Sequence, residues 1–138
     1  MTIRPCSFED IPVLLQVSIQ SYREHYLHLW YDNGKKYMDD NFNYQVFKSQ
    51  LEDKNVVLFL ICDEQKSPVG FLKLNIDKAW QGYDEASSLE LERIYLIRNA
   101  SGKGLGSSII DFVANFAKLR NKKYVWVKSM DSGPGVNF

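Results

Sequence analysis

Leu89-Glu90-Leu91-Glu92-Arg93-Ile94-Tyr95-Leu96, a short connector, and then Ser101-Gly102-Lys103-Gly104-Leu105-Gly106 decide how this chain folds. The first segment alternates apolar and charged residues before turning apolar, the period of a sheet strand. Beyond the glycines, Leu105, Ile109, Phe112, Val113, Phe116 and Ala117 recur at three- and four-residue intervals, which predicts an amphipathic helix of about four turns. Strand, glycine-rich loop and helix therefore follow one another directly. N–H groups at a helix start are unpaired, and the helix dipole adds partial positive charge there. Glycines at 102, 104 and 106 allow a phosphate close approach, and Lys103 adds a mobile positive charge. A Rossmann fingerprint would need a further glycine where Ser107 stands, and a P-loop would need Ser or Thr after Gly-Lys, where Gly104 stands. A glycine-lightened helix start without a ligand also fits this spacing.

Upstream, Val56 to Cys62 is an apolar run short and β-branched enough for a buried strand, and Val69 to Ile76 alternates like its partner. Turn residues between Asp63 and Pro68 make the two a hairpin. Thr2 to Arg4 reads as a first strand, and Ser7-Phe8-Glu9-Asp10 as a helix start with an acid three residues after the serine cap. Leu14, Leu15, Val17, Ser18 and Tyr22 continue that helix. Glu24 to Asn43 carries no decisive pattern, Tyr44 to Leu51 is helical in spacing, and Ile76 to Ser88 is a polar loop. Tyr124 to Val127 is a last short strand. The order is strand, helix, helix, strand, strand, strand, helix, strand: a mixed α/β fold with a central sheet flanked by helices.

At 138 residues the chain is expected to form one domain. Lysine plus arginine equals aspartate plus glutamate at seventeen each, so net charge gives no reason to expect nucleic acid or a membrane surface as partner. Cys6 and Cys62 sit in strand-like contexts without metal-ligand spacing and read as reduced thiols. His25 and His28, three apart, have no cysteine or carboxylate at metal spacing and read as surface or packing histidines, so no metal is expected. Without a signal-like start or an apolar run near the roughly 20 residues of a membrane span, a cytoplasmic protein is the default.

The segment Leu91-Glu92-Arg93-Ile94-Tyr95-Leu96 with Gly102-Lys103-Gly104-Leu105-Gly106 resembles the acetyl-CoA motif of GNAT-type N-acetyltransferases. Ile3-Arg4-Pro5, Glu9-Asp10-Ile11 and Val69-Gly70-Phe71 fit the same family. Tyr37-Met38-Asp39-Asp40-Asn41-Phe42 resembles the PaiA-like polyamine branch. The resemblance implies a GNAT fold, with acetyl-CoA as co-substrate and a small-molecule amine as acceptor. It implies that main-chain N–H groups of Ile94, Tyr95 and Leu96 hold the pantetheine arm. Those of Ser101, Gly102, Lys103, Gly104, Leu105, Gly106 and Ser107 would hold the pyrophosphate. Asn99 stands where the family has glutamine or arginine.

Amine acetylation needs a neutral nitrogen, hence a base or a water chain to one. Glu90 and Glu92 alternate on one strand face, where two carboxylates could recognise a cation and relay its proton. Solvent-facing acids on a half-exposed strand are the plain alternative. Glu92 matches the base position of polyamine-acetylating relatives and ranks first, Glu90 second. Tyr26, Trp30, Tyr31, Asp32, Asp39 and Asp40 are expected to border the acceptor groove, flanked by Trp80 and Tyr83; simple packing under a long loop is the other reading. The family's acid is a tyrosine that would follow Phe138, so Tyr95 is the only stand-in. The C-terminal strand pair is missing, which reads as a truncated domain, with a homodimer through the open sheet edge as an expectation. A CoA-binding module without turnover, or an enzyme for a protein N-terminus, are the alternatives.

Overall fold

The computed structural model describes residues 1–26, 34–100 and 104–127. Expectations resting on His28, Trp30, Tyr31, Asp32, Ser101, Gly102, Lys103, the Tyr26 side chain and residues 131–138 lie outside them. The elements are β1 (Thr2–Pro5), α1 (Ile11–Tyr26), α2 (Lys35–Asn41), α3 (Tyr44–Glu52), β2 (Val56–Cys62), β3 (Pro68–Asn75), β4 (Ser88–Leu96), α4 (Leu105–Leu119) and β5 (Tyr124–Val127). The five strands form one sheet in chain order; β1 to β4 run antiparallel, and β5 joins β4 in parallel. This is the mixed α/β sheet flanked by helices that the residue pattern implied.

Both faces of the sheet are covered, which is why β2 reads as an unbroken apolar run. Leu58 and Leu60 point to one core with Ile11, Leu14 and Phe47 of α1 and α3. Phe59 and Ile61 point to the other, against Ile109 and Val113 of α4. The aromatic rings of Phe112 and Phe116 stand edge-on to Phe59 at 5.0 and 5.5 Å, locking α4 across the sheet. A single 3-10 turn, Phe8–Asp10, precedes α1. The Asp10 carboxylate accepts from the Ser7 N–H at 2.8 Å and pairs with Arg4 at 2.8 Å. The Ser7 hydroxyl lies 3.4 Å from the same carboxylate.

One feature departs from simple alternation. In β4, Arg93 faces Lys73 and Leu91 faces Leu74, so Glu92 is an extra residue without a partner on β3. This bulge changes which parity faces α4: Leu89 and Leu91 before it, Ile94 and Leu96 after it. Tyr95 consequently joins Phe71 on the side of α1.

Candidate active site

Two geometric facts build the site. The first is that the described part of β5 pairs in parallel with Ser88 to Leu91, while the Leu96 end of β4 pairs with Gly70 of β3. The family resemblance places a ligand along the main chain of Ile94, Tyr95 and Leu96, on the side away from β3. Their position is set tightly. A Cβ at Gly70 would overlap the Tyr95 carbonyl oxygen and stand 2.7 Å from Leu96, so only glycine lets β3 come this close. His25 donates from Nε2 to the Leu96 carbonyl at 2.9 Å, and Glu24 accepts from the Arg98 N–H at 2.9 Å. The end of α1 therefore clamps the end of β4. His25 packs against the end of β4, one of the two readings, surface or packing, that its sequence context left open.

The second fact is the start of α4. Gly104 adopts the left-handed conformation (φ 75°, ψ 7°) and has no side chain with which to cap the helix that Leu105 opens. Among the described residues no side chain takes the first-turn N–H groups, those of Leu105, Gly106 and Ser107 among them, and such groups suit an anion. Ser101, Gly102 and Lys103 complete the loop outside the described residues.

Between these features, the face of the sheet toward α1 carries a polar cluster that the sequence disclosed only in part. Glu90 is buried and Glu92 half-buried. The Asn75 amide donates to both, at 2.6 Å to Glu90 and 3.0 Å to Glu92, so the two candidate carboxylates do come together. Glu92 also pairs with Lys73 at 2.9 Å and with Arg93 at 3.2 Å. Burial pushes its carboxyl up, but hydrogen bonds from Lys73 and Asn75 and the charges of Lys73 and Arg93 outweigh it, and the net direction is down. Lys73 and Asn75 alternate on β3 directly across from Arg93 and Glu90, a signal that the hairpin register would have exposed.

Tyr95 is buried, and its hydroxyl lies 3.3 Å from that of Tyr37. Asp39 and Asp40 form exposed i,i+4 ion pairs with Lys35 and Lys36. Trp80 packs on Trp126 (5.3 Å) and Tyr83 on Tyr124 (4.8 Å), so these rings cover β5 and line a cavity of about 510 Å³ with Ser88 and Val127. No group of three or more metal-ligating side chains occurs among the described residues, and no described helix is long and apolar enough to cross a membrane.

Residues 16–135 match the family model described as acetyltransferase (GNAT) family. A 58-residue stretch is 33% identical to an uncharacterized N-acetyltransferase of Lactobacillus delbrueckii subsp. lactis; it covers 42% of this chain and 34% of that protein, about a third of its length. In fold, the chain is similar to the PaiA N-acetyltransferase of Thermoplasma acidophilum solved with coenzyme A (TM-score 0.77, 16% identity, 96% of this chain and 82% of that one). It is also similar to an aminoglycoside 6′-N-acetyltransferase of Acinetobacter haemolyticus (TM-score 0.66, 16% identity, 96% and 81%).

Proposed function

The chain belongs to the acetyltransferase (GNAT) family, and on that premise we propose that it moves the acetyl group of acetyl-CoA directly onto a primary amine of a small molecule. The observation that carries this reading is the parallel pairing of β4 with β5 beside a helix that starts at a left-handed glycine. The main chain of Ile94–Leu96 is assigned by position to the amide groups of a pantetheine arm. The first turn of α4 suits a pyrophosphate, with Ser101 to Lys103 assigned to it by position. When bound, the cofactor supplies an activated acyl thioester; the rest is done by the chain. Its strand edge orients the thioester, and an N–H near Ile94 or Tyr95 would stabilise the oxyanion.

Glu92 is assigned as the acceptor of the amine proton, directly or through water, with Glu90 behind it and Asn75 joining the two. A carboxylate already held by Lys73 and Arg93 is a weak base, which favours relay through water over direct contact. It also supports a second reading, a CoA-binding module without turnover. A polyamine acceptor is the finer form of the proposal. It is supported by the Tyr37–Phe42 resemblance, whereas Asp39 and Asp40 are already paired with lysines and add nothing to it. Two free thiols, Cys6 and Cys62, fit a reducing compartment such as the cytoplasm.

Thiol release from acetyl-CoA with a panel of primary amines tests the assignment. Glu92→Gln is expected to lose on the order of a hundredfold or more in turnover while still binding CoA. Unchanged turnover removes Glu92 from the role, and CoA binding without turnover on any amine favours the module.

A further inference from the structure

We propose that the acceptor amine also carries a carboxylate, and that Arg93, with Lys73 and Lys78, recognises it. The inference rests on the acetyl-transfer reading for where the acceptor lies. It follows from the charge count on the sheet face beside the bulge. Two carboxylates, Glu90 and Glu92, meet three cations: Lys73, Lys78 and Arg93. The nearby acids do not restore a negative balance. Asp39 and Asp40 are each paired with a lysine of α2, and Asp77 is paired with Lys122.

The hydrogen-bond inventory points the same way. One Glu92 oxygen accepts from Lys73 and forms an ion pair with Arg93 Nε at 3.2 Å, and the other accepts from Asn75. Glu90 Oε1 accepts from Asn75 at 2.6 Å and forms an ion pair with Lys78 at 3.3 Å. Each carboxylate thus already has a cation beside it. The cations keep donors in reserve: an ammonium has three N–H donors and a guanidinium five. Arg93 spends Nε on Glu92 and Nη2 on Asn41, leaving the Nη1 donors uncommitted among the described residues. Its side chain is 18% exposed and that of Lys73 12%, so both charges are partly withdrawn from water and gain from an anion. A second ammonium on the acceptor would meet this surplus positive charge, so this inference replaces the polyamine with an acceptor that carries an anionic group. A carboxylate would meet a guanidinium edge suited to it.

The test is calorimetric titration of the CoA-loaded protein with butylamine, butyrate and γ-aminobutyrate. Both carboxylate-bearing probes are expected to bind at least about tenfold more tightly than butylamine, the scale of one charge-assisted hydrogen bond. Arg93→Gln should remove that difference. Lys78→Gln, which alters a half-exposed side chain and leaves the strand intact, should reduce it about threefold. Butylamine binding as tightly as the carboxylates overturns the proposal. So does a preference that survives both substitutions, or a failure of both carboxylates to bind. Because this titration does not read turnover, the acetyl-transfer assignment stands or falls separately in the thiol-release assay.

Discussion

Glu92 owes its position to being one residue too many for the β3–β4 ladder, and its protonation follows from that position. The bulge turns it toward Lys73 and Asn75, whose hydrogen bonds hold its carboxyl below the ordinary value of 4.5 despite burial. A depressed folded-state pKa contributes stability that is complete above the unfolded value and lost as pH falls through the folded one. Glu92 is therefore ionised throughout the neutral range. Turnover should rise between about pH 6 and 9 with deprotonation of the amine itself, with no step from Glu92. A rate profile with an inflection that Glu92→Gln abolishes in that window would contradict this. Gly70 makes a second test at this scale. An added methyl group must displace the Tyr95 backbone, so Gly70→Ala should cost about 1–3 kcal/mol in urea unfolding and weaken CoA binding as well. Cys6 supplies a third. Burial first, then the nearby Asp10 charge, push its thiol up to about 12. Alkylation of Cys6 at neutral pH should be slow in the native protein and fast in denaturant; equal rates would show the thiol to be accessible.

At the scale of elements, α4 depends on how its first turn is entered. Gly104 has φ near 75°, and a Cβ there would meet nothing within 4 Å among the described residues, so Gly104→Ala is expected to carry a conformational cost of about 1 kcal/mol. CoA affinity should fall by more than stability does if the uncapped N–H groups hold the pyrophosphate; a matched, small loss in both would mean they do not. The same helix was legible in the sequence because its apolar face is regular, and β2 and β3 were legible because burial on both faces leaves little ambiguity. The region from Glu24 to Asn43 was not. α1 runs on to Tyr26 although Ser18 and Ser21 interrupt its apolar face; both are fully buried, with hydroxyls bonded to Leu14 and Ser18 carbonyls. α2 is seven residues long with one buried side chain, Met38, and Tyr37 fastens it by stacking on Tyr22 at 4.7 Å. Tertiary contact, not local propensity, decides such a helix. The carboxylate pair was visible in Glu90 and Glu92, but Lys73 lies on another strand, Lys78 lies beyond it, and no nearby residue announces the bulge at Glu92.

For the molecule as a whole, the sheet order leaves β1 and β5 at the edges, and the two are unlike. β1 carries Arg4, held by Asp10, and ends at Pro5, features that discourage further pairing. β5 is Tyr-Val-Trp-Val, with Tyr124, Val125 and Val127 each about half exposed and no strand on its outer side among the described residues. An apolar, uncharged edge of this kind invites strand addition, and the expected outcome is a homodimer formed along β5. Sedimentation velocity over a wide concentration range should show association, and Val125→Lys with Val127→Lys should return the protein to monomer. A clean monomer at high concentration would count against the dimer. The consequence reaches the site, because β5 is the wall beside the stretch of β4 that leads into Ile94 to Leu96. If a second copy steadies that wall, CoA affinity should rise with protein concentration and the doubly substituted protein should lose that dependence. Affinity that is constant across the monomer–dimer transition would show that the edge and the cofactor cleft act independently.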